Sequence, residues 1–545
     1  VTPALTGLAE HERLRPDAPA VAHWSDGSVR EQFTFGELGD LVRRAGSGLR
    51  TGTATGDRAI LSLPNDVSFT AAFLACHEAG LVPVPAPAFG GSRRQAVELR
   101  LLGMVADCRP AVVITVERWA APLRALVAEA GLRCPVRSWE ELRGHRAVPG
   151  GARAAAGFAF LQYTSGSTGT PKGVAISHRA SRAGCAQAAV AYRERPADTA
   201  VTWVPLHHDM GLLTGVLRPL FSGYLSVLMS PREFAAAPAA WLSAISVTRG
   251  TLSSAPDFAY DRCVRRVPAA DVREFDLSAW RVARDAGEVV RAATAERFTT
   301  HFAEAGFVAD AFCPSYGMAE ATLTVTTCSP ELRPLRLPVG RDALHQVRIR
   351  PPRSGEPVTT LLSSGAPLPG TQVTIRNPNP DGIGEIVISG PQLFDGYWPA
   401  TPGGRTGGHA TGDRGFLRDG QLFVLGRADE VLVCHGRNFH PADVIAACAE
   451  VPGLRPGRCA AFVTEPDRVV LVAEARQPWD DGAGAELARL VRLRLADRLE
   501  LYVSDVALLA PGELPLTTSG KVRVAETRRA YADGSLSVRW PPASR

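Results

Sequence analysis

The segment YTSGSTGTPKGVAISH, Tyr163 to His178, places five hydroxyl residues, three glycines and a lysine between Thr164 and Gly173. Small residues let backbone N–H groups close on an anion. The hydroxyls of Thr164, Ser165, Ser167 and Thr168 add donors, and Lys172 adds charge. In the common phosphate loop the lysine is followed by Ser or Thr and a helix opens. Here Gly166, Gly169, Lys172 and Gly173 are spaced differently, and the following VAIS alternates like a strand. The expected geometry is therefore strand–loop–strand, between FAFLQY and VAIS. The second lysine is Lys521, in PLTTSGKVR; the rest of the 60 basic side chains are arginine. That bias, with abundant Ala, Gly and Pro, fits a GC-rich coding sequence. Arginine replaces lysine freely at solvated positions, but not where a compact, mobile ammonium is needed. The two surviving lysines thus mark two candidate sites of anion chemistry.

The elements that position these residues follow from pattern. At 545 residues the chain is too long for one ordinary core. Through the first half, helical spacing (FGELGDLVRRAGSGL, SFTAAFLACHEAG, PLRALVAEAG) alternates with strand-like runs (RAILSLP, LVPVPAP, AVVITV), which predicts layered α/β with largely parallel sheet. From about Gly340 short alternating strands (TQVTIRNP, GEIVISG, GQLFVLGR) are split by Gly, Pro, Asn and Asp, which predicts a β-rich subdomain. After Gly426 the order strand, helix, hairpin, helix, strand reads as a compact α+β unit. The expected division is a large domain over 1–426, with its β-rich subdomain at about 340–426, and a small mobile domain over 427–545. The boundary falls near Gly426 to Glu430.

Composition narrows the class. Hydrophobic content of 45% and charged content of 21% are those of a globular protein, and a net charge of +5 gives no case for nucleic-acid binding. The ten cysteines form no C-x-x-C pair and do not cluster with histidine at zinc spacing. They read as buried or reduced thiols. No apolar signal core opens the chain and no run approaches a membrane span. The expected location is cytoplasmic.

Further motifs lie in order along the chain: SYGMAEATL (Ser315–Leu323), TGDRGFL (Thr411–Leu417), GRADE (Gly426–Glu430) and PLTTSGKVR. An isolated Glu, Asp or Arg is ordinarily a solvated surface charge. Together with YTSGSTGTPKG, however, these segments resemble the core motifs of the adenylate-forming superfamily: acyl-CoA synthetases, luciferases and peptide-synthetase adenylation domains. The resemblance spans essentially the whole chain. It implies ATP as substrate, with Mg²⁺ held by Glu320 and the loop hydroxyl Thr168. It further implies Tyr316, with Gly317 and Met318, against the adenine, and Asp413 on the ribose hydroxyls. Arg427 would lie near ribose and phosphate, and Asp429 at the hinge of the swivelling small domain. Lys521 would bridge the acid's carboxylate and the α-phosphate. A mobile point charge serves that role better than a rigid fork.

WVPLHHDMGLLTGVLRPLFSG (Trp203–Gly223), SAPDFAYDRC (Ser254–Cys263) and GRNFHPADVI (Gly436–Ile445) are similar to one branch, the fatty acyl-AMP ligases. An Arg- and Pro-rich stretch between Glu331 and Leu362 stands where that branch carries an insertion restraining the domain motion needed for CoA. The branch passes its acyl group to the phosphopantetheine thiol of an acyl carrier protein, in lipid, polyketide or peptide natural-product assembly. His208 would lie near the carboxylate and phosphate, or act as an orienting histidine. Three departures stand out. DAGEVV (Asp285–Val290) replaces N-G-[AS]-E-P-V, with Glu288 still alignable as a nucleotide-site residue. His207 replaces an aromatic and Asp257 an asparagine. All were expected near the acyl entrance, where they admit a shorter, functionalised or polar acid. The alternatives are an acyl-CoA ligase or relative that activates an unusual acid for CoA or a non-thiol acceptor, and a non-catalytic nucleotide-binding homologue.

Overall fold

In the computed structural model the described residues are 2–90, 94–148, 152–164, 172–403, 407–427, 432–434, 437–439, 441–465, 468–477, 481–499, 501–517 and 520–540. Apolar β-branched runs bounded by Gly and Pro form a nine-stranded sheet. Six of its neighbouring strands run parallel: Phe312–Met318, Val282–Asp285, Leu252–Ala255, Thr199–Thr202, Leu225–Met229 and Pro19–Ser25. Antiparallel strands close both edges. A second, all-parallel sheet orders Val82–Pro85, Arg58–Ser62, Val112–Thr115 and Val136–Ser138. The helix Val67–Glu78, capped by the Asp66 side chain on the Ser68 amide, is apolar all round and buried along its length. That is what a helix enclosed within the core requires.

The parallel arrangement matters because parallel strands end together. Thr199–Thr202 leads into His207 and His208, Leu252–Ala255 into Asp257, Val282–Asp285 into Glu288, and Phe312–Met318 into Glu320. All four segments therefore emerge at the carboxyl edge of one sheet, where open α/β sheets bind ligands.

Phe160–Thr164 and Lys172–Ile176 form an antiparallel pair in which Thr164 faces Lys172, with Gly396–Tyr397 added beside the second strand. The strand–loop–strand expectation holds. Residues 165–171, the loop itself with Ser165, Gly166, Ser167 and Thr168, lie outside the described residues, as does Asp429.

A four-stranded antiparallel sheet (Gln372–Arg376, Gly384–Ser389, His409–Arg418, Gln421–Arg427) carries Asp413 and Arg427 as paired residues. The Thr411-Gly412-Asp413 run has the composition of a tight turn, which would put Asp413 in a loop. It lies within a strand instead, because Gly412 at φ +77° and a register shift at Arg414/Gly415 absorb the kink without ending the ladder. The stretch Glu331–Leu362 folds as a hairpin of Arg336–Gly340 and Val358–Leu362 around the short helix Arg341–His345. It packs on Phe416, Phe423 and Leu425 of this sheet.

From Leu432 onward the described chain packs into two apolar clusters that include no earlier residue. They surround the sheet Leu454–Glu465, Arg468–Ala475 and Asp505–Leu509. Hydrogen bonds that tie this part to the rest include two among the described residues. Lys521 Nζ donates to the Gly287 carbonyl, and Arg341 Nη1 donates to the Arg498 carbonyl at 2.5 Å. No described helix is long and apolar enough to cross a membrane.

Candidate active site

Lys521 follows the turn closed by Gly520 N on Thr517 O, and its own amide is held by Thr517 Oγ1 at 2.9 Å. From there the ammonium reaches Gly287. Gly287 sits at φ +86°, and a Cβ there would stand 3.2 Å from Lys521 Nζ and 3.3 Å from Met210 Cε. The ammonium also acts on two half-buried carboxylates. Burial raises Glu288 above the usual range, with Lys521 opposing and Asp257 reinforcing the rise; the Phe258 amide donates to Glu288 at 3.4 Å. Burial also pushes Asp209 upward. A hydrogen bond and charge from His208, the Met210 amide and Lys521 outweigh it, so Asp209 lies below its ordinary value. His208 Nδ1 is 3.1 Å from Asp209 Oδ1, and the Met210 amide donates to the same oxygen at 2.7 Å. The short helix beginning at Asp209 therefore opens on a carboxylate that also orients His208.

Glu320 lies on a single tight turn, Ala319–Ala321, after the strand Phe312–Met318. The two residues that close the turn, Thr322 and Leu323, have φ of +49° and +89°. Backbone strain of about 1–3 kcal/mol per residue is held there. Gly317 explains why: a Cβ would meet the Leu323 carbonyl oxygen at 1.6 Å, so the returning strand presses directly on the backbone. Burial raises the Glu320 carboxyl, and the nearby Asp209 charge adds to the rise, while the Tyr397 hydroxyl and Arg427 oppose it. The hydroxyl donates to Glu320 Oε1 at 2.8 Å, and Lys172 Nζ stands 5.5 Å over the same tyrosine ring. Tyr397 thus joins the loop lysine to the buried carboxylate.

The Tyr316 hydroxyl donates to Asp413 Oδ2 at 2.5 Å, and the Asp413 amide is held by Thr411 Oγ1 at 3.0 Å. Burial and Asp413 hold the Tyr316 phenol well above its ordinary value. Arg427 ends the neighbouring strand, its Nη2 at 3.1 Å from where a Gly412 Cβ would stand. Met318, half-buried, packs beside Tyr316 in the apolar cluster beneath.

The described candidates therefore fall into one connected group. Lys521, Glu288, His208 and Asp209 stand on one side, Lys172, Tyr397 and Glu320 in the middle, and Tyr316, Asp413 and Arg427 on the other. Among the described residues, no cluster of three or more His, Cys, Asp or Glu is built to hold a metal ion. Mg²⁺ usually takes one or two carboxylates plus substrate phosphates. Glu320, buried beside the like charge of Asp209, is a fitting single ligand of that kind.

Two residues escaped the sequence reading. Tyr397 sits in a two-residue strand that no pattern marks. Arg100 is one of two arginines on its helix, yet it is largely buried, brought down to about 10 by burial and the nearby Arg523, and donates to the Tyr163 carbonyl at 3.0 Å. With burial, its charge holds His207 well below the ordinary histidine value. Asp257 departs from expectation. Instead of an open acyl entrance it is fully buried, ion-paired to Arg291 and hydrogen-bonded by Thr294 Oγ1 at 3.1 Å.

A large parallel sheet offering these groups at its carboxyl edge, with a small α+β unit reaching in a lysine, has known counterparts. The chain belongs to the AMP-binding enzyme family, whose profile matches residues 8–398, and within it to the fatty acyl-AMP ligase branch. The medium-chain-fatty-acid–[acyl-carrier-protein] ligase JamA of Moorena producens is 33% identical over 537 residues, covering 92% of this chain and 90% of JamA. The long-chain-fatty-acid–AMP ligase FadD26 of Mycobacterium marinum is 34% identical over 528 residues, covering 88% of each. A solved chain from a study of fatty acyl-adenylate ligases of E. coli and L. pneumophila superposes with a TM-score of 0.90 at 30% identity, covering 98% of both. The protein is an adenylate-forming ligase that uses ATP.

Proposed function

We propose that the protein activates a carboxylic acid of the fatty-acid class to its acyl-adenylate and passes the acyl group to an acyl carrier protein. The observation that carries this is Lys521, brought from the C-terminal unit onto Gly287 among Glu288, Asp209 and His208. The acid's carboxylate oxygen attacks the α-phosphorus of ATP, the bond to the β-phosphate breaks, and pyrophosphate leaves. Two anions must meet, so cations aimed at the developing charge lower the barrier. Lys521 holds carboxylate and α-phosphate together, and Lys172 draws the β- and γ-phosphates toward the loop. His208, fixed by Asp209, donates toward the carboxylate. Asp413 and Tyr316 position the nucleoside. Glu320 and Thr168 would hold Mg²⁺ together with the phosphates, where it would supply Lewis-acid neutralisation of their charge. In the second half-reaction the carrier's phosphopantetheine thiolate attacks the acyl carbonyl and AMP departs.

Carrier protein is favoured over CoA by the Glu331–Leu362 hairpin, which packs on the β-rich sheet and, through Arg341, holds the Arg498 carbonyl of the C-terminal unit. Such a tie opposes the rotation that would present a CoA thiol. JamA, by its name, uses an acyl carrier protein. The test supplies ATP, Mg²⁺, a panel of acids, and either CoA or phosphopantetheinylated carrier protein. Acyl-carrier product without acyl-CoA is expected; robust acyl-CoA formation would overturn the choice of acceptor.

A further inference from the structure

Arg284 is 1% exposed, and among the described residues none meets any of its three guanidinium nitrogens in full hydrogen-bond geometry. The Tyr192 hydroxyl beside it eases its charge while donating to Thr327 Oγ1 at 2.8 Å, but a neutral phenol supplies no counter-charge. Arg284 lines a cavity of about 20 Å³ with Thr202, Thr214, Arg218, Tyr224 and Ser254. Arg218 is committed: it is ion-paired with the buried Glu194 and stacked 4.7 Å over Tyr192. That pairing neutralises Arg218 and leaves Arg284 as the guanidinium on the cavity wall without an ion-pair partner among the described residues. A buried charge left in that state is costly, whereas a planar carboxylate arriving on the guanidinium is matched in charge and in fork geometry.

The cavity lies beneath the reaction centre. Thr214 is one helical turn beyond Met210, to whose carbonyl its hydroxyl donates at 2.7 Å, and Met210 borders Gly287, the acceptor of Lys521. The helix is widened to a π turn over Leu213–Leu217, where the cavity is formed. Arg284 is three residues before Gly287 on the adjoining strand, and it feels the same Asp209 carboxylate that Lys521 does. One turn corresponds to a depth of about 5–6 Å, the reach of roughly four to six carbons. A space of this size, walled by hydroxyl and guanidinium groups and by Ala200, Val201, Leu252 and Val282, has room for one small group and none for an alkyl tail.

We propose that Arg284 determines acid specificity, and that the activated acid is a short α,ω-dicarboxylic acid whose distal carboxylate binds the Arg284 guanidinium. The proposal rests on acid adenylation as the activity and narrows its substrate. The full chain is assayed for pyrophosphate release with succinate, glutarate and adipate against butyrate, pentanoate, hexanoate and dodecanoate. A dicarboxylate should exceed its matched monoacid in kcat/KM by about tenfold or more, the worth of a charged hydrogen bond. Arg284→Met should remove that preference and raise hexanoate, without lowering Tm, because it deletes an unpaired buried charge. Strong adenylation of hexanoate or dodecanoate by the wild type, with dicarboxylates no better, overturns the specificity while leaving acid adenylation standing. Failure with every acid overturns both. Equal loss on all acids in Arg284→Met, with a lower Tm, would reveal an arginine satisfied by buried water alone. Should that variant not fold, the wild-type panel and Arg284→Lys, expected to retain the preference in weakened form, still decide.

Discussion

Gly287→Ala puts the coupling between the two parts of the chain to a direct test. At φ +86° an alanine incurs about 1–2 kcal/mol of backbone strain. Its methyl would stand 3.2 Å from Lys521 Nζ and 3.3 Å from Met210 Cε, closer than normal contact, so both must shift by a few tenths of an ångström. The strain alone should lower Tm by about 1–4 °C. The displaced ammonium should cost far more in rate, because misplacing a reacting group by about 1 Å can cost a factor of about 100. The expected result is mild destabilisation with adenylation reduced about 10- to 100-fold, measured by acid-dependent pyrophosphate exchange. In the Lys521→Ala background the same alanine should have little further effect on rate, because the group it displaces is gone. Additive losses in that double-mutant cycle, or full exchange activity in Gly287→Ala, would show that the Lys521–Gly287 contact has no part in the chemistry.

Four other outcomes are expected. Lys172→Arg and Lys521→Arg should each impair adenylation by about tenfold or more, because a rigid fork replaces a point charge; full turnover in either counts against its role. Tyr397→Phe keeps the ring under Lys172 but removes the 2.8 Å hydrogen bond to Glu320, and should lower kcat/KM for ATP by about five- to tenfold. Burial, then the charges of Asp257 and Glu288, hold the Asp285 carboxyl well above its ordinary value, and a hydrogen bond shared with the Asp257 carboxyl adds to the rise. Its folded-state value exceeds the unfolded one, so the stability it contributes is complete at low pH and lost as pH rises through the folded value. In denaturant titrations Asp285→Asn should therefore exceed wild type at pH 8, with the gap closing toward pH 5. Arg341→Ala, which releases the Arg498 carbonyl, should allow acyl-CoA formation that the wild type is expected to lack.

The layered fold was legible because its signals are local. Apolar runs of four or five residues between Gly and Pro gave the parallel strands, and alternation in VAIS placed the strand beginning at Lys172. What was hidden depended on distant neighbours. Nothing near Gly317 reveals that Leu323 folds back onto it, and nothing in DGYWPA reveals that Tyr397 meets Glu320. Asp257 looked like an entrance residue because Arg291, its ion-pair partner, lies 34 residues further on. Arg284 was invisible for a different reason. In a chain this rich in arginine, composition gives no hint that one of them is buried without a partner.

The scarcity of lysine has one more consequence. An acyl-adenylate is an acylating agent for amines, and every enzyme that makes one is exposed to its own product. Guanidinium groups stay protonated at neutral pH and are not nucleophiles. This chain offers two side-chain amines, one stacked on Tyr397 and the other seated on the Gly287 carbonyl. Its surface is thereby nearly inert to self-modification. Any lysine acylation that does occur must fall on one of the two groups proposed to carry out adenylation, so it would register as inactivation after one or two hits. Counting acylated lysines against lost turnovers would measure how well the cleft retains its intermediate.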